Sequence, residues 1–318
     1  MRDYDLITFL TDFGWSGGYV AACEATLTLL RPAAKVMHIS HEVAVGDVRE
    51  GAAVLARVAP LCPVAVHLAV VDPGVGTDRR PLALRAERGD LLIGPDNGLL
   101  VAALDALGGG SEAWVLDQGL VRTRAGLADD RASHTFHGRD LFAPAAAILS
   151  FGVPAGEIST RADLDSIARP PERIVKFDSS GVTTEVIEVD RFGNIGLALS
   201  YDKVGMSSLR MDVDVVGECV PQWSARRVHT YGDLAPGELG LYRDSWGQVA
   251  LALNGASAAE VVGVKRGMLL RISPLTEALS DESSGPPWAT AADVTITDDG
   301  RVGGVRMPPS PTASPLEL

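Results

Sequence analysis

Pro63-Val64-Ala65-Val66-His67-Leu68-Ala69-Val70-Val71 runs straight into Asp72-Pro73-Gly74-Val75-Gly76-Thr77. The first part is the most strand-like stretch of the chain, because Val64, Val66, Val70 and Val71 are β-branched and suit a pleated, buried surface. The second part consists of residues that turns require. A buried strand that ends in a polar loop is one half of an α/β unit, and the other halves lie on either side of it.

Upstream, Asp5–Leu10 reads as a buried strand, Tyr19–Leu30 as a helix with apolar residues at helical spacing, Val36–Ile39 as a short strand and Val48–Val58 as a helix. Downstream come a strand at Leu91–Ile93, a helix from about Asn97 to Leu107, a strand at Ala113–Leu116 and a helix over Asp140–Ser150. This alternation predicts an α/β domain with a largely parallel sheet over residues 1–168. Arg169-Pro170-Pro171 is the linker, since consecutive prolines cannot continue a helix. Beyond it, Glu172–Phe177, Thr183–Asp190, Leu209–Val216, Gly240–Tyr242 and Gln248–Leu253 read as strands, so residues 172–275 form a smaller β-rich, barrel-like domain. Residues 276–318 form an accessory tail, polar at Ser280–Pro287 and proline-rich at Pro308–Pro315, with a hairpin expected within Asp293–Met307 around Asp298-Asp299-Gly300.

The 318 residues are 46% hydrophobic and 22% charged, ordinary for a globular chain of about two domains. Forty-one acidic against 28 basic residues give a net charge of −13, which argues against a non-specific nucleic-acid binder. Cys23, Cys62 and Cys219 are odd in number and widely spaced, so they read as reduced thiols rather than a disulfide framework. MRDYDLITFL is no secretory leader and there is no long apolar span, so a soluble, cytoplasmic protein with no membrane partner is expected.

Common chemical signatures are missing. Gly74-Val75-Gly76 begins like a dinucleotide fingerprint, but Arg79 stands where its third glycine belongs. P-loop, HExxH, paired CxxC and Gly-x-Ser-x-Gly patterns are absent. His134 and His137, followed by Asp140, have a spacing that could bind a metal, though no metal or cofactor is expected. What remains is a set of polar clusters at strand ends: Thr11-Asp12-Phe13-Gly14, Asp72-Pro73-Gly74-Val75-Gly76-Thr77 and Gly94-Pro95-Asp96-Asn97-Gly98. In open α/β sheets the carboxyl ends of strands bind ligands.

These clusters, with Thr135-Phe136-His137-Gly138-Arg139-Asp140, Asp190-Arg191-Phe192-Gly193-Asn194 and Asn254-Gly255, follow one another in an order that resembles the S-adenosyl-L-methionine (SAM) hydroxide adenosyltransferases, the SAM hydrolases related to the fluorinase and chlorinase. The resemblance spans roughly residues 5–272 and excludes the tail. It implies an N-terminal α/β domain with a C-terminal β-barrel-like domain. It also implies cleavage of SAM by water at the C5′–S bond to adenosine and L-methionine. A homotrimer holding SAM between the first domain of one subunit and the second of the next is implied too. Carried over by position, the water-positioning residues are Asp72, Arg79 and His137, with Arg80 a competitor for the arginine role. Asp12 matches the carboxylate on the ribose hydroxyls, Asp190 the partner of the methionine ammonium, Asn194 an adenine contact, Ser245 a contact of the amino-acid end, and Asn254-Gly255 the adenine edge. The chain departs from its relatives at Gly17, often acidic in them, and at Trp246, an arginine in some halogenating ones.

The residue types suit the chemistry. A sulfonium leaves as a neutral thioether, so no general acid is needed. An oxygen nucleophile held in line is needed, and a carboxylate, a guanidinium and an imidazole can hold one water. Halogenating relatives carry Tyr in place of Asp72 and lack the histidine. A carboxylate beside the nucleophile's seat opposes fluoride or chloride, so hydrolysis is favoured over halogenation. Three alternatives stay open from sequence: a 5′-halogenase, a SAM- or adenosine-binding sensor without turnover, and a Zn-dependent hydrolase. Asp72 could also merely start a turn, Arg79 be a solvated charge, and His137 cap the helix that follows it.

Overall fold

The computed structural model describes residues 3–127, 133, 135–204, 209–217 and 223–274, with the backbone of Val294–Ile296 and Val302–Val305. The chain divides into two compact units, Met1–Pro171 and Glu172–Leu318.

The first unit carries β1 (Leu6–Thr11), β2 (Lys35–Ser40), β3 (Val66–Val70), β4 (Pro81–Ala86), β5 (Leu91–Pro95), β6 (Gly110–Leu116) and β7 (Ser159–Ala162) in one sheet, ordered β2-β1-β3-β5-β4-β6-β7. Its helices are α1 (Tyr19–Leu30), α2 (Val48–Val58), α3 (Val101–Ala106), α4 (Gln118–Arg124) and α5 (Ala143–Ser150). Side chains alternate between the two faces of each strand. Ile7 and Phe9, Val66, Leu68 and Val70, and Leu91 and Ile93 join the core that also holds Val20, Cys23 and Leu27 of α1 and Ala145–Leu149 of α5. Leu10, Ala69, Val71 and Leu92 join the opposite core, with Ala52 and Leu55 of α2 and Val101 and Leu104 of α3. Each fully buried large side chain contributes about 1.5–3 kcal/mol, so the sheet is held from both sides.

Strands β2, β1, β3 and β5 are parallel, as the helix–strand alternation predicts. The other half of the sheet is antiparallel, because β4 reverses against both β5 and β6, and β7 reverses against β6. The connection from β4 to β5 is a short turn closed by Gly89 N–H to Ala86 C=O (2.9 Å), too short for the crossover that a parallel pair needs. The helix expected from Asn97 begins only at Val101. The Asn97 side chain donates to Val71 C=O (2.9 Å) and accepts from Leu99 N–H (3.2 Å), so it holds a turn there instead. The helix expected from Asp140 starts earlier, with a π-helical turn over Gly138–Phe142 running into α5.

The second unit is a closed barrel. β9 (Gly181–Val189), β10 (Ile195–Ser200), β11 (Arg210–Val215), β12 (Trp223–Arg227), β13 (Leu239–Arg243), β14 (Gln248–Leu253) and β15 (Leu269–Pro274) pair in the order β9-β10-β14-β13-β12-β11-β15 and back to β9. β8 (Val175–Asp178) lies outside the ring on β9. Val186, Ile195, Leu197, Val213, Leu241, Leu251 and Leu270 are fully buried and fill the interior. Closure removes the open edges that an antiparallel sheet would otherwise present. A short helix α6 (Ala258–Val262) follows β14.

In the tail, β16 (Val294–Ile296) and β17 (Val302–Val305) form the antiparallel hairpin expected there. Ser280–Pro287 and Pro308–Pro315 lie outside the described residues. Cys23 and Cys62 are buried free thiols, burial pushing Cys23 up to about 12, while Cys219 lies outside the described residues. Among the described residues no helix is long and apolar enough to cross a membrane.

Candidate active site

Because β1, β3 and β5 are parallel neighbours, their carboxyl ends bring the three polar clusters side by side along one edge of the sheet. The spacing is tight. A Cβ at Gly94 would lie 2.2 Å from the Ala69 carbonyl oxygen, so β5 reaches this edge against β3 only with glycine there. Asn97 ties the third cluster to the second through Val71. Asp12 accepts the Gly46 N–H (2.8 Å), which fixes the first cluster to the loop ahead of α2.

Asp72 stands one residue beyond Val71, and its carboxylate is gripped by Arg79: Nε lies 2.9 and 3.0 Å from the two carboxylate oxygens, and Nη2 also donates to Oδ2. The same Nη2 lies 2.8 Å from Nδ1 of His137. The side chains of Asp72 and Arg79 are only 5% and 9% exposed, so the pair is screened from water on most sides. The Arg79 guanidinium also sits 5.1 Å from the centre of the Phe142 ring, an aromatic floor supplied by the π-helical turn. Residues 58 positions apart thus form one array. His137 precedes that turn without capping it through its side chain.

Arg80 is engaged elsewhere. It donates to Asp96 (2.7 Å) and to the Ser166 carbonyl (2.6 Å), which assigns the arginine of the array to Arg79 by geometry. Asp140 does not join His137 either. Burial opposes its ionisation, but the Arg139 guanidinium and the Ser133 N–H outweigh that and hold its carboxyl below the usual value. Among the described residues no three His, Cys, Asp or Glu side chains converge as a metal ion requires, and His134 lies outside those residues.

One feature of this edge has no signature in the strand pattern. Buried His41 bonds through Nδ1 to Thr11 Oγ1 (2.8 Å) and through Nε2 to His38 Nδ1 (2.7 Å), under the ring of Trp15. Burial, and secondly His38, push its imidazole down to about 4, so it is neutral. It buttresses the residue preceding Asp12. The signal available was the His38-x-x-His41 spacing at the end of β2.

In the second unit the Asp190–Asn194 turn is built on itself. Asp190 Oδ1 accepts from the N–H groups of Phe192 (2.8 Å) and Asn194 (2.9 Å), and Oδ2 accepts from the Asn194 side chain (2.8 Å). Gly193 makes the turn feasible: its φ is +81°, and a Cβ would meet Ser257 Oγ at 2.1 Å. Asp190, Asn194 and Ser245 line one cavity of about 370 Å³ with Tyr231, Arg243 and Trp246. The Tyr231 and Tyr242 hydroxyls are 2.8 Å apart, and burial and then Tyr231 raise the Tyr242 phenol above its ordinary value. Asn254 and Gly255 are not among the residues lining this cavity. The Asn254 amide donates instead to the Leu234 carbonyl (2.7 Å).

Residues 7–159 match the model of the SAM hydroxide adenosyltransferase N-terminal domain, and residues 184–271 that of the C-terminal domain. The chain belongs to this family. A relative from Salinispora tropica named (R)-S-adenosyl-L-methionine hydrolase is 47% identical over 267 residues, 84% of this chain and 97% of that protein. A fluorinase from Actinopolyspora mzabensis is more distant, 25% identical over 300 residues, 84% of this chain and 97% of its own. The crystal structure of an uncharacterized conserved protein from Thermotoga maritima superposes with a TM-score of 0.74 at 32% identity, covering 84% of this chain and 99% of that one. Both family halves are present, one per unit of the chain. The Asp72–Arg79–His137 array lies in the first and the Asp190 cavity in the second.

Proposed function

We propose that the chain hydrolyses SAM at the C5′–S bond to adenosine and L-methionine, without metal or cofactor. The observation that carries this reading is the continuous Asp72–Arg79–His137 array at the carboxyl end of β3 in a member of this family.

Arginine only donates hydrogen bonds, so Nδ1 of His137 accepts from Arg79 and the neutral ring carries its proton on Nε2. In this reading Nε2–H holds the oxygen of one water and Asp72 accepts its hydrogen, while Arg79 fixes both partners. The oxygen attacks C5′ in line, the C5′–S bond breaks, and its electron pair returns to sulfur, which leaves as an uncharged thioether. The water's proton passes to Asp72, since Nδ1 of His137 is already occupied by Arg79. Asp72 also disfavours a halide at the same seat, because like charges repel strongly where water is largely excluded.

Around this centre Asp12 takes the ribose hydroxyls, Asp190 the methionine ammonium, Ser245 the amino-acid end and Asn194 the adenine. Asn254 and Gly255 stand at the adenine edge, Gly255 by its backbone, since the Asn254 amide is engaged with Leu234 and its main chain with Glu238 and Gly237. The array and the cavity belong to separate units, which fits a homotrimer in which the first unit of one subunit meets the second unit of the next. Buried free thiols at Cys23 and Cys62 suit a reducing cytoplasm.

The test is purified full-length protein with SAM in chelator, with and without chloride or fluoride, products separated by chromatography. Equal adenosine and methionine in every arm is the expected result. A 5′-halogenated nucleoside would overturn the nucleophile, a rate abolished by chelator would overturn metal independence, and intact SAM that co-purifies without turnover would make the protein a sensor.

A further inference from the structure

One residue of the segment after β2 ties down Thr11-Asp12-Phe13-Gly14 at both ends. His41 bonds to Thr11 Oγ1 through Nδ1 (2.8 Å), and its main-chain carbonyl accepts the Gly14 N–H (2.8 Å). Thr11 Oγ1 also accepts the Phe13 N–H (3.2 Å), so the residues on either side of Asp12 are held by the same hydroxyl. Asp12 itself has Oδ2 on the Gly46 N–H, while Oδ1 makes no hydrogen bond among the described residues. One carboxylate oxygen is anchored and the other can receive a ligand's hydroxyl.

The His41 imidazole is wedged in place. Its ring centre lies 4.8 Å from that of Phe9 and 4.6 Å from that of Trp15, both edge to face. On its far side Nε2 reaches His38 Nδ1 (2.7 Å), and His38 Nε2 lies 3.6 Å from the Glu24 carboxylate of α1. A carboxylate favours a proton on the nitrogen that faces it, so neutral His38 carries its hydrogen on Nε2 and accepts through Nδ1. His41 then donates from Nε2 and accepts through Nδ1, and the Thr11 hydroxyl donates to it. That turns the Thr11 lone pairs toward the Phe13 N–H. The chain from Thr11 to Glu24 thus has a single sense, and its inner end is the residue before Asp12.

We propose that His41 is a positioning residue that holds Asp12, through Thr11, in the orientation that takes the ribose hydroxyls. This rests on the SAM reading above, in which Asp12 is the ribose ligand. Thr11 and His41 are fully buried, so they act on a substrate only through the loop they fix.

The experiment uses calorimetry on the full chain to measure the preference for adenosine over 2′,3′-dideoxyadenosine in wild type, His41→Ala, His41→Asn and Thr11→Val. Wild type should prefer adenosine about 10–100-fold, since its hydroxyls donate to a charged group. Thr11→Val, nearly isosteric, and His41→Ala should reduce that preference about 3–10-fold, with the dideoxynucleoside bound as before. His41→Asn should keep most of it, because an amide oxygen can accept from Thr11 in place of Nδ1. In an Asp12→Ala background the same changes should have no further effect. A preference undiminished in both Thr11→Val and His41→Ala, or equal losses for both nucleosides, would overturn the role of His41 and leave Asp12 on the ribose. Equal binding of the two nucleosides by wild type would overturn the ribose assignment itself, and no binding of adenosine by wild type would remove the SAM reading with it.

Discussion

The two units hold their polar side chains in opposite ways. In the first, Asp72 and Arg79 are nearly dry, locked to each other and to His137 over an aromatic floor. In the second, Arg243 and Trp246 are largely exposed, and even the well-anchored Asp190 is fixed by its own loop rather than by burial. Groups that must meet a transition state work best when they are already immobilised before it forms. Groups that only recognise a flexible ligand tolerate adjustment. The contrast implies that damage in the first unit strikes turnover and damage in the second strikes affinity.

The largest effect is expected from Asp72→Ala, which should lower kcat by about 10²–10⁴-fold while leaving the calorimetric SAM affinity within a few-fold. If affinity and turnover fell together, the division between the units would collapse. Asp190→Asn should do the reverse, weakening SAM about 10–100-fold with kcat largely kept. Gly193→Ala should destabilise the barrel by about 1–3 kcal/mol, seen as a lower melting temperature, because its φ is +81° and Ser257 occupies the space of a Cβ. The smallest effect concerns His41, whose pKa falls from 6.5 to about 4 on folding. The unfolded chain then binds more protons between those values, so His41's contribution is complete above pH 6.5 and declines as pH drops toward 4. Urea midpoints should therefore fall less between pH 7 and pH 4.5 in His41→Asn than in wild type, and parallel curves would show that His41 does not titrate in this way.

Much of this was legible in the chain before folding. α1 and α2 occupy the spans that their apolar spacing predicts, and the polar clusters do fall at the carboxyl ends of parallel strands. β4 was not legible, since Pro81 and Arg85 interrupt its apolar run. The choice between Arg79 and Arg80 was likewise beyond local pattern, because it depends on which carboxylate lies on each side of the strand. Tyr242 and Arg243 reach the Asp190 cavity because β13 pairs with β14 and β14 with β10, and Tyr231 joins them through the Tyr242 hydroxyl, an arrangement that no spacing encodes. Asn254 illustrates the converse, since the motif is present but its amide is spent on a neighbouring loop.

The adjacent arginines carry a consequence for how the sheet assembles. Leu82, Ala83 and Leu84 of β4 are all buried, two against one core and one against the other, so hydrophobic alternation does not tell this strand which way up to lie. A slip by one residue would keep an apolar side chain on either face. Arg79 and Arg80, sent to Asp72 and Asp96 respectively, break that degeneracy immediately before the strand begins. The Arg79–Asp72 salt bridge, proposed above to hold the nucleophile's seat, is thus also half of a two-pronged alignment key, so a one-residue slip of the strand would pull both arginines from their carboxylates.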